Sequence, residues 1–408
     1  MVARKPRVGI LHYAAPPIVG GVEATIAKHA HLFAERGYPV KIIAGRGAAF
    51  DPRIPVEIIA DADSQAPRVL SVNTELAQGI VSENFHALAH ELTQELGAAL
   101  EDCDVLIAHN VLSLHKNLAL TAALKKVSAS LRIKLIAWCH DFAWSDPQYA
   151  DQLHPGYPWD LLKQVWSATS YVVVSDARKI EVTAIWGKAK AEISVVPSGI
   201  DPCEFFGVTE TSARWARDLK LFDAAPLLIL PARLTRRKNI EQAIGIVAAL
   251  GNLSEKPKLL VTGPPGAHNP SNRAYLEKLR ELRNELQIED TVIFLYELGS
   301  VNNETMRDLY WLADALLFPS EREGFGIPIL EAALARLPIF CADLPVFHES
   351  AGEHAHYFAK DDTSDEIALR IANTLAQDSA YQLKRRVLQE YDWQRIFQDR
   401  IEPLVIAP

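Results

Sequence analysis

The sequence predicts an α/β protein made of two doubly wound domains in series. Three observations predict it. Short apolar runs rich in Val, Ile and Leu alternate with helical patterns along the chain. Those runs are apolar throughout rather than alternately polar, as parallel strands covered on both faces must be. The alternation then restarts after about residue 205, and 408 residues exceed what one ordinary core accommodates.

The elements follow in order. The first half carries strands at Arg7–Tyr13, Val40–Gly45, Val56–Ala60, Val105–His109, Lys134–Cys139, Tyr171–Ser175 and Ile193–Val196. Helical segments at Glu23–Arg36, Asn84–Leu100 and Leu118–Leu131 separate them. The second half carries strands at Leu227–Pro231, Lys258–Thr262, Val292–Tyr296, Ala315–Pro319 and Pro338–Ala342, with helices at Ile240–Leu250, Tyr275–Leu286 and Thr305–Leu312 between them. The stretch Asp365–Ile401 reads as helical. In such sheets ligands bind beyond the carboxyl ends of the strands, so two domains in series make the cleft between them the expected active site.

Composition narrows the classes. Hydrophobic residues make up 49% and charged residues 23%, an ordinary globular balance. A net charge of −9 argues against a generic nucleic-acid binder. Cys103, Cys139, Cys203 and Cys341 are far apart and lack paired metal spacing, which reads as free thiols in a reducing compartment. No apolar run approaches the ~20 residues of a membrane span, and no signal core follows the N-terminus, so the expected location is cytoplasmic. The oligomeric state is left open.

The most informative string is Ser320-Glu-Arg-Glu-Gly-Phe-Gly-Ile-Pro-Ile-Leu-Glu331, directly after the strand Ala315–Pro319. Gly324 and Gly326 leave backbone amides open, and Pro328 suits the first turn of a helix. Free amides opening a helix hold phosphate or an oxyanion, and the flanking Glu323 and Glu331 can accept hydrogen bonds from vicinal hydroxyls. Those are the demands of a sugar diphosphate. The two glutamates alone would equally suit acidic positions at a helix start. Arg233 and Lys238, five apart past the first strand of the second domain, can clamp a diphosphate whose charge grows as it leaves. The bland reading of that segment is a solvated basic loop.

These residues resemble those of a known family. Glu323-Gly-Phe-Gly-Ile-Pro-Ile-Leu-Glu331 is similar to the hallmark of the family 4 (group 1) glycosyltransferases, a retaining group of the GT-B fold with two Rossmann-like domains facing across a cleft. Gly20-Gly21-Val-Glu23, Val196-Pro-Ser-Gly-Ile-Asp201 and Ala232-Arg-Leu-Thr-Arg-Arg-Lys-Asn239 match in order. The resemblance implies an N-terminal acceptor-side domain over 1–204, a nucleotide-sugar domain over 205–384, and a final helix, about 385–408, packing back on the first domain.

The resemblance also implies the roles. Glu323 binds donor-sugar hydroxyls and Glu331 the ribose. Arg233 and Lys238 stabilise the leaving diphosphate. His140, in Cys139-His-Asp141, contacts the donor sugar; its plain alternative is a core or capping histidine. Gly20, Gly21, Gly263, Gly324, Phe325, Gly326 and Ile327 complete the donor set. His109, Lys116, Trp144 and Tyr157 are the acceptor candidates, the last two from the aromatic segment Asp141–Leu161, which otherwise reads as a packed surface excursion. Asp61-Ala-Asp63 and Asp102-Cys-Asp104 read as chance triplets, so no metal and no cofactor is expected.

The expected reaction is retaining hexosyl transfer from a UDP-, GDP- or ADP-hexose to a hydroxyl of a small soluble acceptor, polyhydroxylated or carboxylated. The first-domain helices lack the basic stripe that a lipid acceptor would call for. Three rivals stay open: a sugar-nucleotide epimerase and a phosphorylase on the same fold, and a non-catalytic sugar-nucleotide binding module.

Overall fold

A computed structural model describes residues 4–187, 191–266 and 271–406. Residues 1–3, 188–190, 267–270 and 407–408 lie outside the described residues, and with them the outermost residues expected for the first domain and the final helix. Residue contacts divide the chain into one unit of 1–199 with 393–408 and a second of 200–392.

In the first unit, uninterrupted apolar runs form Val8–Ala14 (β1), Val40–Arg46 (β2), Val56–Ile58 (β3), Val105–His109 (β4), Lys134–Cys139 (β5), Thr169–Val173 (β6) and Ile193–Val195 (β7). They pair in parallel in the order β3-β2-β1-β4-β5-β6-β7. The helices are Gly21–Glu35 (α1), Pro67–Ala77 (α2), Glu83–Leu100 (α3), Leu118–Ser130 (α4) and Asp176–Trp186 (α5). Alternate β1 side chains feed two cores. Leu11 and Tyr13 pack with Leu92 of α3 and Leu120 of α4, while Val8 and Ile10 pack with Ile26 and Phe33 of α1.

The second core also takes Trp393, Phe397 and Val405 from the chain's last described segment, with the Phe33 and Phe397 rings 4.8 Å apart. Full burial of such a side chain contributes about 1.5–3 kcal/mol. Tyr38 Oη donates to Glu402 at 2.7 Å and Arg36 pairs with Glu402 at 3.3 Å, which pins that segment to α1 and the turn after it.

The second unit repeats the plan. Its strands are Leu227–Leu230 (β8), Lys258–Val261 (β9), Val292–Phe294 (β10), Ala315–Phe318 (β11), Ile339–Ala342 (β12) and His356–Phe358 (β13), parallel in the order β10-β9-β8-β11-β12-β13. The helices are Pro202–Phe206 (α6), Glu210–Asp218 (α7), Ile240–Leu250 (α8), Ser271–Glu285 (α9), Asn303–Leu312 (α10), Ile327–Leu334 (α11), Pro345–Ala351 (α12), Ser364–Gln377 (α13) and Ser379–Glu390 (α14).

Details depart from the sequence reading. The strand expected to reach Tyr296 stops at Phe294, because Leu295–Glu297 turns as a 3₁₀ helix. The helical run Asp365–Ile401 is broken, Asp378 capping α14 by accepting from Ala380 N and Tyr381 N. By residue contacts the first unit's main segment ends at 199. Asp201 caps α6, and α6 residues Cys203 and Phe206 pack on the second unit's core. Among the described residues no helix is long and apolar enough to cross a membrane.

Candidate active site

A doubly wound sheet opens a crevice where its strand order reverses, at the carboxyl ends of the two central strands. In the second unit those are β8 and β11. Past β8 the chain carries Arg233 and Lys238; past β11 it carries Ser320 and Glu323. Lys238 forms an ion pair with Glu323 Oε1, which also accepts from Ser320 Oγ at 2.9 Å, while Arg237 approaches Oε2 at 3.4 Å. Both side chains of the pair are largely buried, and Lys238 Nζ lies 5.0 Å from the Phe318 ring centre. Glu323 and Lys238 thus neutralise one another, which a buried charge requires.

Gly326 starts α11 in the left-handed region, φ 89°, where a side chain would be strained and its Cβ would meet Phe347 at 2.8 Å. Gly324, Phe325 and Ile327 around it are exposed. Glu331 lies on α11, is also exposed, and accepts from Tyr310 Oη at 2.6 Å. Burial and this bond hold the Tyr310 hydroxyl well above its ordinary pKa. Arg233 is exposed and lines a pocket of 690 Å³ with Thr262, Gly263, Tyr296 and Ser300. Gly263 permits that pocket's floor: a Cβ there would lie 2.4 Å from the Ala232 carbonyl oxygen.

The first unit reverses strand order between β1 and β4. Four imidazoles gather on this side. His12 Nδ1 donates to the His109 carbonyl at 2.8 Å; a carbonyl only accepts, so Nε2 of the neutral ring is left as an acceptor, 3.9 Å from Glu23. His109 Nδ1 and His140 Nε2 are 3.0 Å apart. His29 packs edge-on against Trp138, ring centres 4.6 Å apart. Burial dominates their titration. It lowers His140 to about 4, helped by His12, and His29 to about 3, helped by His140; it holds His109 well below its usual value. The cluster is neutral at pH 7. Asn110, at φ 59° just past β4, fixes the neighbouring loop by accepting from His140 N at 2.8 Å.

Beside this cluster lies a pocket of 480 Å³. Its wall includes His12, Gly21, Glu23, Arg46, Gln65, Asn73, Asn110, His115, Lys116, Asp141, Tyr149, Gln152 and Trp159.

The sequence candidates are therefore distributed as follows. Lys238 and Glu323 meet directly, with Arg233 in the adjoining pocket of the same unit. Gly21 and Lys116 line the first unit's pocket; Gly20 caps α1 with extended backbone. His109 is fully buried, and its ring lies against His140. Trp144 is half-buried, its Nε1 donating to the Trp159 carbonyl at 3.3 Å, and Tyr157 is exposed. Of the aromatic segment, Tyr149 and Trp159 supply pocket wall, and Phe142 and Trp159 are core. Sequence reasoning missed His12, Asn73, His115 and Tyr310. None belongs to a motif, and only His12, near the carboxyl end of its strand, carried a positional signal. The acidic triplets are occupied: Asp61 pairs with Arg68, Asp63 with Arg46, Asp102 with Lys41 and Asp104 with Arg4.

Comparison with known proteins agrees with this division. The family model described as Glycosyltransferase Family 4 matches residues 19–204, and that described as Glycosyl transferases group 1 matches residues 212–391. The mannosylglucosylglycerate synthase of Petrotoga mobilis is 25% identical over 83% of this chain and 83% of its own length. The serotype-specific mannosyltransferase WbdA of Escherichia coli is 33% identical over 38% of this chain. The match spans only 18% of that relative's length. Two parallel α/β units, each matched by one of the paired models, carry the motif residues at the ends of their central strands; the chain belongs to the family 4 (group 1) glycosyltransferases and has their two-domain, Rossmann-like GT-B fold.

Proposed function

We propose that the chain transfers a hexose, with retention of anomeric configuration, from a nucleoside diphosphate sugar to a hydroxyl of a small soluble acceptor in the cytoplasm. The observation that carries the reading is the loop at the end of β11, where Glu323 meets Lys238 and free amides lead into α11 toward Glu331. In this reading the donor's diphosphate draws Lys238 away from Glu323. The ammonium then stabilises the leaving phosphate, and the released carboxylate accepts hydrogen bonds from sugar hydroxyls. Arg233 adds charge at the neighbouring pocket, Glu331 holds the ribose, and His140, neutral at pH 7, offers a hydrogen bond to the sugar. Two cations at the leaving group make a divalent metal unnecessary.

The relatives' names, mannosylglucosylglycerate synthase and mannosyltransferase, support mannose as the hexose. A thermal-shift screen of nucleoside diphosphates and their sugars tests the donor assignment. A true donor at 100 times its dissociation constant stabilises the chain by about 2.7 kcal/mol. Arg233→Ala should reduce the shift. A screen in which no nucleoside diphosphate or sugar nucleotide shifts the melting curve would refute the reading.

A further inference from the structure

We propose that the first unit's pocket takes an acceptor with an anionic group, carboxylate or phosphate, at one end and hydroxyls at the other, and that Lys116 receives the anion. The inference rests on the transferase reading and narrows its acceptor.

The charges lining the pocket mostly cancel. Arg46 faces Asp63 at 3.6 Å, and Asp141 faces Arg178 at 3.4 Å. His12 and His115 are held below the ordinary imidazole value, first by burial and further by the Lys116 charge, so both are neutral at pH 7. His115 is also tied to Gln152 at 2.9 Å. Two formal charges remain, Lys116 and Glu23. The Lys116 ammonium has no ion-pair partner among the described residues, and Glu23 has only the neutral His12.

Lys116 is exposed, but its backbone is anchored. Its carbonyl accepts from Asn73 Nδ2 at 2.8 Å, and the next residue, Asn117, caps α4 by accepting from Leu120 N at 3.0 Å. Its backbone is therefore fixed at the pocket wall, and its charge is felt at both imidazoles. A cation on an anchored backbone, without a counter-ion, in a recess where the remaining charges apart from Glu23 are paired, selects an anion. Glu23 can only accept at pH 7, so it suits a hydroxyl, and Gln65, Asn73 and Gln152 carry amide groups suited to further hydroxyls. A sugar acid or sugar phosphate satisfies both ends; a neutral sugar leaves Lys116 unmatched.

The test is binding of three probes to the intact chain without donor: glucuronate, glucose 6-phosphate and glucose, by calorimetry or ligand-observed NMR. At least one charged probe should bind tenfold or more tightly than glucose, and which one does so separates carboxylate from phosphate. The preference should weaken with added salt, vanish in Lys116→Ala and survive in part in Lys116→Arg. Equal affinity for all three probes, or an undiminished preference in Lys116→Ala, would overturn the proposal. So would a loss of UDP or GDP affinity in Lys116→Ala matching the loss for the charged sugar, which would assign the lysine to the donor. Because no donor is present, the outcome is independent of the transferase reading. A chain that prefers anionic sugars but consumes no sugar nucleotide keeps the anion site at Lys116 and loses its assignment to an acceptor; the converse result keeps the transferase reading and loses the anion site.

Discussion

At the scale of single residues, two glutamates of one motif occupy different surroundings. Glu323 is largely buried against Lys238 and Ser320; Glu331 is exposed and tied to Tyr310. Glu331→Ala should weaken nucleoside diphosphate binding by roughly tenfold to a hundredfold, the worth of a hydrogen bond to a charged group. Glu323→Gln should leave that affinity within a few fold and lower kcat instead. Titration calorimetry with the nucleotide, set beside turnover, checks the split; equal losses of nucleotide affinity would contradict it. The imidazole cluster makes a second prediction. Unfolded imidazoles take up protons near pH 6.5, whereas folded His29 resists protonation down to about 3. Between those values the unfolded state binds more protons, so the stability contributed by a neutral buried His29 is complete above about 6.5 and is lost as pH falls. On moving from pH 7 to pH 5, His29→Phe should lose about 2 kcal/mol less stability than the parent chain. Denaturant melts at the two pH values decide it, and identical losses would show that His29 is protonated in the folded chain.

At the scale of elements, the shape of the second unit's pocket depends on how closely backbones approach at strand ends. Gly263→Ala sets a methyl group against the Ala232 carbonyl, so it should cost about 1–3 kcal/mol and weaken the nucleotide pocket. Gly324→Ala meets nothing within 4 Å and should stay within about 0.5 kcal/mol of the parent. Equal melting temperatures for the two variants would contradict the close approach. The central strands were readable because uninterrupted Val, Ile and Leu leave few alternatives to a buried parallel strand. The helix α2 buries only Val69, Val72 and Leu76 along one face, and Arg68, Ser71, Asn73, Thr74 and Glu75 fill positions around them, so that narrow stripe is hard to read from sequence, although the helix forms one wall of the first unit's pocket. The strand β13, His356-Tyr-Phe358, contains no Val, Ile or Leu and exposes its first residue, so it does not read as an apolar run.

At the scale of the whole molecule, motif residues were easier to find than the residues that position them. Glu323, Lys238 and Arg233 could be named because the strings they sit in resemble the hallmarks of a known family; without that resemblance a solvated basic loop and an acidic helix start fit the same residues. His12 is bonded to a carbonyl 97 residues away, brought near by the pairing of β1 with β4. His109 is the contrasting case. A histidine ending a strand invites a ligand role, yet packing against Trp138 and His140 encloses it. Tertiary neighbours, not local spacing, decide such cases. The central claim is retaining transfer from a sugar nucleotide without metal. Its most direct test is the anomeric proton–carbon coupling of the product, measured by NMR after incubating the purified chain, in excess EDTA, with the stabilising sugar nucleotide and an acceptor selected by the binding assay. The account predicts a product whose anomeric configuration equals the donor's. An inverted product, or transfer that appears only when magnesium or manganese replaces the EDTA, would contradict it.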